Sequence, residues 1–148
     1  MKRITLTVAM TLVFGVVAAR AEHPINTPLA ETRTFSTEQL ELIEDNLIVA
    51  LESNIPGLRA TAALTLRQVK EISPEYSFSR SVIPLMRIVG TEDFDATSRV
   101  AAGLALHDLR SERGDYRIKW AGKFTENPKL KHLYEWLAYY RTQEKSSL

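Results

Sequence analysis

Three histidines are the only side chains in this sequence whose ordinary pKa lies close to neutral. Their positions therefore limit which acid–base catalysis and which metal sites the protein could have. They are His23, His107 and His132. No two of them have the i, i+4 spacing that places two zinc ligands on one helix face in a metalloprotease. His107 is followed by Asp108, and we interpret it as a surface or half-buried polar residue rather than a metal ligand.

Other residues that commonly carry chemistry are missing or scattered. The chain has no cysteine, which excludes disulfides, thiolate metal sites and a cysteine nucleophile. No serine lies in a Gly-x-Ser-x-Gly motif, and no glycine-rich phosphate loop is present. The acids at positions 38, 41, 44 and 45 have the spacing of a solvated helix face. The sequence therefore predicts no catalytic residue, no cofactor and no metal ion.

Two arginines, Arg59 and Arg99, occupy equivalent places in two similar segments, and we weigh two interpretations of them. In the first, each pairs with a neighbouring acid or loop carbonyl and fixes the stacking of helices. In the second, they form a strip that recognises anions, together with Arg67, Lys70 and Lys131. We favour the first interpretation and keep all five residues as candidates for an interaction surface.

Aromatic residues are dense near the C-terminus. They are Trp120, Phe124, Tyr134, Trp136, Tyr139 and Tyr140. The last predicted helix has more apolar positions than one face can bury, so we expect most of these rings in the core or at the end of the domain. The surplus, Trp136 or Tyr139, is predicted to form an exposed patch that docks a partner.

The N-terminal segment has the three parts of a secretory signal peptide. Lys2 and Arg3 precede an uncharged apolar run over residues 4–19, and the triplet Ala-Arg-Ala follows at 19–21. The run is shorter than the roughly 20 residues that span a bilayer, although a retained anchor is the alternative. We expect cleavage between Ala21 and Glu22, a periplasmic or secreted protein, and no stable membrane insertion after the signal is removed.

Removal of the predicted signal changes the charge balance of the chain. It takes away Lys2, Arg3 and Arg20 and no acid, so the net charge falls from +1 to −2. Such a chain has no general electrostatic attraction for nucleic acid, so nucleic-acid partners are not expected. Residues 22–35 contain two prolines and no apolar period, which predicts an extended lead-in. Residues 36–148 are predicted to form one folded domain.

Capping signals and apolar spacing predict six helices and no strand. The first begins at Ser36 and ends near Asn54, and the second begins at Pro56. The third covers residues 82–89 after an N-cap at Ser81, and the fourth covers 96–109 after Asp95. The fifth is expected to start at Asp115 and the sixth at Asn127. Residues 73–81 are predicted to be a polar loop, either a binding loop or a connector.

An internal repeat is the most specific feature of the sequence. The segment RATAALTL at 59–66 matches RVAAGLAL at 99–106 in one arginine, one alanine and two leucines. A weaker third copy begins at NPKLK, positions 127–131, which is similar to DATSR at 95–99. One helical hairpin cannot bury both of its apolar faces, so we expect three hairpins stacked side by side, with Leu64 and Leu104 in equivalent surroundings.

On these residues the chain resembles the HEAT-repeat family. The resemblance rests on the segments IPGLRATAALTL (55–66), VIPLMRIV (82–89) with DATSRVAAGLALHDL (95–109), and YRIKWAGKF (116–124) with NPKLKHL (127–133). It is more narrowly similar to small exported bacterial HEAT-like proteins. The resemblance implies an all-α fold, a short α-solenoid of about three HEAT-like helical hairpins. It also implies a module without catalytic activity that binds an unidentified protein or peptide of the cell envelope; the alternative is an enzyme, or an enzyme accessory, of the lyase-like HEAT type that acts on a small molecule.

Overall fold

The computed structural model describes residues 35–146, and this part of the chain is helical without a strand. The predicted all-α class is therefore confirmed. Six α-helices follow one another, with a 3₁₀ turn at Ser79–Ser81 before the third: α1 (Thr37–Leu51), α2 (Pro56–Ile72), α3 (Val82–Gly90), α4 (Ala96–Leu109), α5 (Glu112–Phe124) and α6 (Pro128–Ser146). Within residues 35–146, none of the helices has the combination of length and hydropathy that a membrane span requires. The predicted signal peptide, its cleavage site at Ala21 and Glu22, and residues 22–34 of the lead-in lie outside the described residues.

The helices contact one another in consecutive pairs and across the pairs. α1 packs on α2, α3 on α4, and α5 on α6. Between the pairs, α4 contacts both α2 and α6, while α3 contacts both α1 and α5. One hydrophobic core consequently extends through all three pairs, and α4 lies near its middle.

Small side chains allow α2 and α4 to make the most extensive helix contact in the described part of the molecule. Ala62 and Ala63 of α2 and Ala102 and Ala105 of α4 are all buried. Gly103 lets α4 approach α6 closely in the same way, because a Cβ atom there would lie 2.6 Å from Cε1 of the buried Tyr134. Larger residues at these positions would overpack the interior.

The internal repeat gives equivalent burial at most of its positions. Leu66 and Leu106 are both fully buried, and Ala62 and Ala102 are both at most 2% exposed. Leu64 and Leu104 both lie outside the buried core, but Leu104 is partly buried and Leu64 is 43% exposed. The expected equivalence therefore holds closely inside the core and only approximately at the surface.

Three predicted helix starts are confirmed by their capping hydrogen bonds. The Ser36 hydroxyl accepts from the Gln39 amide at 3.2 Å, and the Gln39 side chain accepts in return from the Ser36 amide at 2.9 Å. Asp95 Oδ1 accepts from the Ser98 amide at 2.8 Å. Asn127 Oδ1 accepts from the Lys129 amide at 3.0 Å. Each bond satisfies an amide that has no partner within its own helix.

Other predicted boundaries are wrong. α1 ends at Leu51 rather than near Asn54, and α5 begins before Asp115. The cap of α5 is Ser111, whose hydroxyl accepts from the Gly114 amide at 3.0 Å. Ser81 does not cap α3 with its side chain, because its hydroxyl donates to Glu44 at 3.1 Å. Glu44 comes near Ser81 only in the folded protein, and local capping rules do not include such a partner.

The segment 73–81 lies between α2 and α3 and is held by buried contacts. Phe78 is fully buried in a left-handed backbone conformation, with its ring centroid 4.7 Å from that of Tyr76. Glu44 of α1 is 1% exposed and accepts from the Ser81 amide at 2.9 Å and from the Tyr76 hydroxyl at 3.0 Å. A buried carboxylate is tolerated where hydrogen bonds satisfy it, and here those bonds attach the segment to α1.

Candidate functional site

The two equivalent arginines lie inside the protein. Arg59, 6% exposed, donates to the Ser53 carbonyl at 2.8 Å and to Asp95 Oδ2 at 3.0 Å. Its guanidinium also lies over the ring of Phe94, 4.8 Å from the centroid. Ser53 belongs to the loop between α1 and α2, and Asp95 to the loop between α3 and α4. Arg59 therefore connects its own helix pair to the next.

Arg99 makes the same kind of connection one pair further along. It is 3% exposed and holds both carboxylate oxygens of Glu92, at 2.6 and 2.8 Å, while donating to the Thr125 hydroxyl at 3.0 Å. Glu92 precedes α4, and Thr125 follows α5. The bidentate geometry is the one that a planar guanidinium favours with a carboxylate.

These contacts decide between the two interpretations of the arginine pair. Both side chains are buried and bound to residues of the protein itself, so neither is accessible to an anion at the surface. The prediction that Arg59 and Arg99 belong to an interaction surface is wrong. The favoured interpretation, pairing with neighbouring acids and a loop carbonyl that ties helix pairs together, matches the observed contacts.

The pKa values of the two acids reflect their arginine partners. Hydrogen bonds from Arg99 lower the pKa of Glu92 below its ordinary value. Burial alone would raise the pKa of Asp95, but hydrogen bonds from Ser98 and Arg59 outweigh burial and lower it. Both carboxylates are therefore held in the charged form.

An open groove of about 730 Å³ lies where the C-terminal ends of α2, α4 and α6 meet, and we call it the polar groove. Its charged and polar lining consists of Arg67, Gln68, Lys70, Glu71, His107, Asp108, Arg110 and Glu144. Among these side chains the lysines and arginines equal the acids in number, with three of each. The groove therefore has no excess of charge that would select an anion or a cation.

Arg67 and Lys70 line the polar groove, as expected of neighbours on one surface, and both already have partners. Arg67 Nε donates to Asp108 Oδ2 at 2.6 Å. Burial alone would raise the pKa of Asp108, but hydrogen bonds from His107 and Arg67 lower it. Lys70 Nζ donates to the carbonyls of Pro74 and Tyr76, and burial lowers its pKa.

Apolar side chains continue from the polar groove along the same three helices, and we call this surface the inner face. It consists of Leu64, Val100, Leu104, Trp136 and Tyr140. Leu64 itself lines the groove. The others precede a groove residue by one or two helical turns: Leu104 and Val100 precede Asp108, and Tyr140 and Trp136 precede Glu144. Residues at i and i+4 lie on one helix face, so these side chains share the side that opens into the groove.

Four of the five side chains of the inner face are substantially exposed. Leu64 is 43% exposed, Val100 36%, Trp136 51% and Tyr140 50%. The rings of Trp136 and Tyr140 lie 5.3 Å apart and form one aromatic surface. Contiguous apolar patches of this kind mark interaction sites more often than scattered single residues do.

The remaining predicted surface residues divide between different sides of α6. Trp136 is exposed as predicted, and its ring partner Tyr140 was not singled out, although the i, i+4 spacing could have indicated it. Tyr139 is also exposed, but it has no ring contact with Trp136 among the described residues. Lys131 lies two turns before Ala138, on the side of α6 away from Trp136. Arg67, Lys70 and Lys131 therefore do not form one strip.

Arg141 has a structural role that the sequence did not indicate. Residues up to Ser146 continue α6, and Arg141 is buried. Its guanidinium donates to Asp115 at 3.1 Å, to Glu144 at 2.6 Å and to the His107 carbonyl. Arg141 thus joins the ends of α4, α5 and α6. Its type and position alone carry no signal of this, because Asp115 and His107 are distant from it in sequence.

His107 lies between the polar groove and a second cavity of about 300 Å³ formed by α5 and α6. Its Nδ1 is 3.3 Å from Asp108 Oδ1, and its buried Nε2 has no hydrogen-bond partner in the described part of the chain. No group of three or more potential ligands within residues 35–146 is arranged to hold a metal ion.

Comparisons of the chain with models of protein families, with curated proteins and with solved structures found no match.

Proposed function

We propose that this protein is an exported, HEAT-like α-solenoid module that binds a segment of a partner polypeptide along the inner face and performs no chemistry. The internal repeat and the contacts between successive helix pairs support the solenoid. The basic, apolar and small-residue parts of the N-terminal segment support export.

The observation that carries the proposal is the exposed apolar surface at Leu64, Val100, Trp136 and Tyr140, which continues into the polar groove. Aromatic side chains in such a surface are typical anchors of protein interfaces. Groups of both signs in the groove, including the Arg67–Asp108 and Arg110–Glu144 pairs, suit a polypeptide better than a lipid surface or a nucleic acid.

Replacing the aromatic anchors tests this proposal. Trp136→Ala with Tyr140→Ala removes both aromatic rings of the inner face, and each of these side chains is about half exposed. Phe124→Ala is the matched control, because Phe124 is 61% exposed on α5 and does not belong to the inner face. Each variant carries a photo-crosslinking residue at position 64 and is incubated with cell-envelope proteins before crosslinked products are separated by mass.

We expect the parent and the Phe124→Ala variant to give the same crosslinked polypeptide, and the double variant to lose it. Equal crosslinking by all three proteins would contradict binding at the inner face. A parent that gives no crosslinked product while turning over a small molecule would refute the proposal.

One observation favours the alternative, an enzyme or enzyme accessory that acts on a small molecule. His107 presents an imidazole beside Asp108 at the junction of two cavities, with Nε2 unpaired among the described residues. A carboxylate at Nδ1 is a common way to orient an imidazole for proton transfer. Under this alternative His107→Gln abolishes turnover of a small molecule, whereas under the polypeptide-binding proposal the parent protein shows no turnover.

A further inference from the structure

We propose that the cavity between α5 and α6 binds a small organic anion: a carboxylate or similar acid group attached to an apolar body. This α5–α6 cavity opens on the last helix pair, and its lining does not include the inner face. It is therefore a second site, and it does not depend on the polypeptide partner proposed above.

One part of the α5–α6 cavity is apolar, and the rest of its lining is polar or charged. Ile118 of α5 and Leu137 of α6 are almost fully buried and form its floor, with Ala138 beside them. The ring of Tyr116, which is largely exposed, stands at the rim. A volume of about 300 Å³ lies at the small end of ligand sites, so the cavity suits a small ligand.

The charged groups of the α5–α6 cavity favour an anion. Its lining includes three cations, Lys119, Arg141 and Lys145, and one acid, Asp115. Asp115 accepts from Arg141 at 3.1 Å and from Lys145 at 2.9 Å, so its charge is already neutralised. Arg141 also pairs with Glu144 at 2.6 Å. The carboxylates near the cavity are therefore occupied.

Lys119 is the cation that remains available to a ligand. Its ammonium group has no hydrogen bond or ion pair with any other side chain between residues 35 and 146. It lies one turn after Asp115 on α5 and lines the same cavity as the apolar floor. A ligand acid group at Lys119 would place its apolar body against Ile118, Leu137 and Ala138. An ion pair beside an apolar wall is partly shielded from water and is stronger than one in open solvent.

Two fluorescent probes that share one aromatic body test this assignment. 1-Anilinonaphthalene-8-sulfonate carries an anionic group, and N-phenyl-1-naphthylamine is the same ring system without it. Each is titrated into the purified full chain, and dissociation constants are read from probe fluorescence. We expect the anionic probe to bind at least about tenfold more tightly than the neutral one.

Variants locate the probe within the molecule. Lys119→Glu reverses the charge at the anchor and Ala138→Trp fills the cavity; we expect each to weaken binding of the anionic probe at least about tenfold. Lys129→Glu makes the same charge change at the far end of α6, and Trp136→Ala removes an anchor of the inner face; both should stay within about twofold of the parent. Thermal melting of each variant shows that it is folded.

Several outcomes would overturn the inference. Equal affinity for the two probes would show that the site does not select an anionic group. If Lys119→Glu, a change of an exposed side chain, binds the anionic probe as tightly as the parent does, Lys119 is not the anchor. Loss of binding in Trp136→Ala, but not in Ala138→Trp, would move the site to the inner face. No binding to the parent at millimolar probe would refute the site altogether.

Discussion

Helices α2 and α4 carry two surfaces that depart in opposite ways from the usual distribution of residues. At their N-terminal ends, Arg59 and Arg99 bury guanidinium groups among loops. On the inner face, Leu64 and Val100 expose apolar side chains to solvent. Charged residues are seldom buried without partners, and contiguous apolar patches are seldom exposed without a function.

The two surfaces differ in whether their side chains find partners within the protein. The side chains of Arg59 and Arg99 donate hydrogen bonds to other residues of the protein, namely Asp95, Glu92 and Thr125. The apolar contacts of Leu64 and Trp136 are incomplete, since a large part of each side chain meets water. We infer that the first surface maintains the architecture and the second is available to a partner. Mutations should therefore separate stability from binding.

The largest expected effect is on the buried arginines. Arg99→Ala should lower the free energy of unfolding by about 2–3 kcal/mol, because it empties a buried position and removes the hydrogen bonds by which Arg99 joins two loops. Arg67→Ala breaks a half-exposed ion pair and should cost less than about 1 kcal/mol. Urea denaturation of both variants measures the contrast. Equal losses would show that Arg99 has no special architectural role.

A smaller loss is expected from overpacking the contact between α2 and α4. Ala102→Leu adds volume at a fully buried position and should destabilise the protein by about 1–3 kcal/mol. Ala96→Leu, at the exposed start of the same helix, is the control and should change stability by less than about 0.5 kcal/mol. Thermal melting compares the two. An unchanged melting temperature for Ala102→Leu would contradict the close helix contact.

Acidification should weaken the arginine contacts and leave the inner face unaffected. The pKa values of Glu92 and Asp95 are lowered in the folded protein, so both acids stabilise it at pH values above their unfolded pKa values, about 4. This stability is lost as the pH falls below about 4 and the acids protonate. The unfolding free energy of Glu92→Gln should therefore fall less steeply than that of the parent as the pH is lowered from about 5 to about 3. Parallel pH profiles would contradict the role of Glu92.

The smallest effect on stability is expected at the inner face. Trp136→Ala truncates an exposed side chain and should change the free energy of unfolding by less than about 0.5 kcal/mol. The same change should abolish or strongly reduce crosslinking to the partner polypeptide. A destabilisation as large as that of Arg99→Ala would show that Trp136 supports the fold, and the contrast between the two surfaces would then fail.

Local signals made much of the helical structure predictable. The capping box at Ser36, the caps at Asp95 and Asn127 and the proline that opens α2 depend on atoms of near neighbours along the chain. The start of α5 was mispredicted because Ser111 and Asp115 are both good capping residues, and local chemistry did not choose between them. In the folded protein Asp115 is bound by Arg141 of α6, and Ser111 is the cap.

The candidate site was less predictable than the helices. Trp136 was identified as exposed because α6 has more apolar residues than one face can bury. Arg59, Arg67, Lys70, Arg99 and Lys131 were grouped by type and repeat position, yet the structure places them in three different surroundings. The α5–α6 cavity was not foreseen, because its walls come from helices whose relative position no sequence pattern specifies.

The sequence by itself determined the all-α class, most helix starts and the recurrence of one helical pattern, since capping and apolar spacing act through neighbours along the chain. Only the tertiary structure decided which charges are buried. Arg59 meets Asp95, and Glu44 meets Ser81, across long stretches of intervening chain. Whether a charged side chain is buried or solvated depends on partners that folding brings close to it. Capping residues and apolar spacing do not indicate which distant residues become those partners.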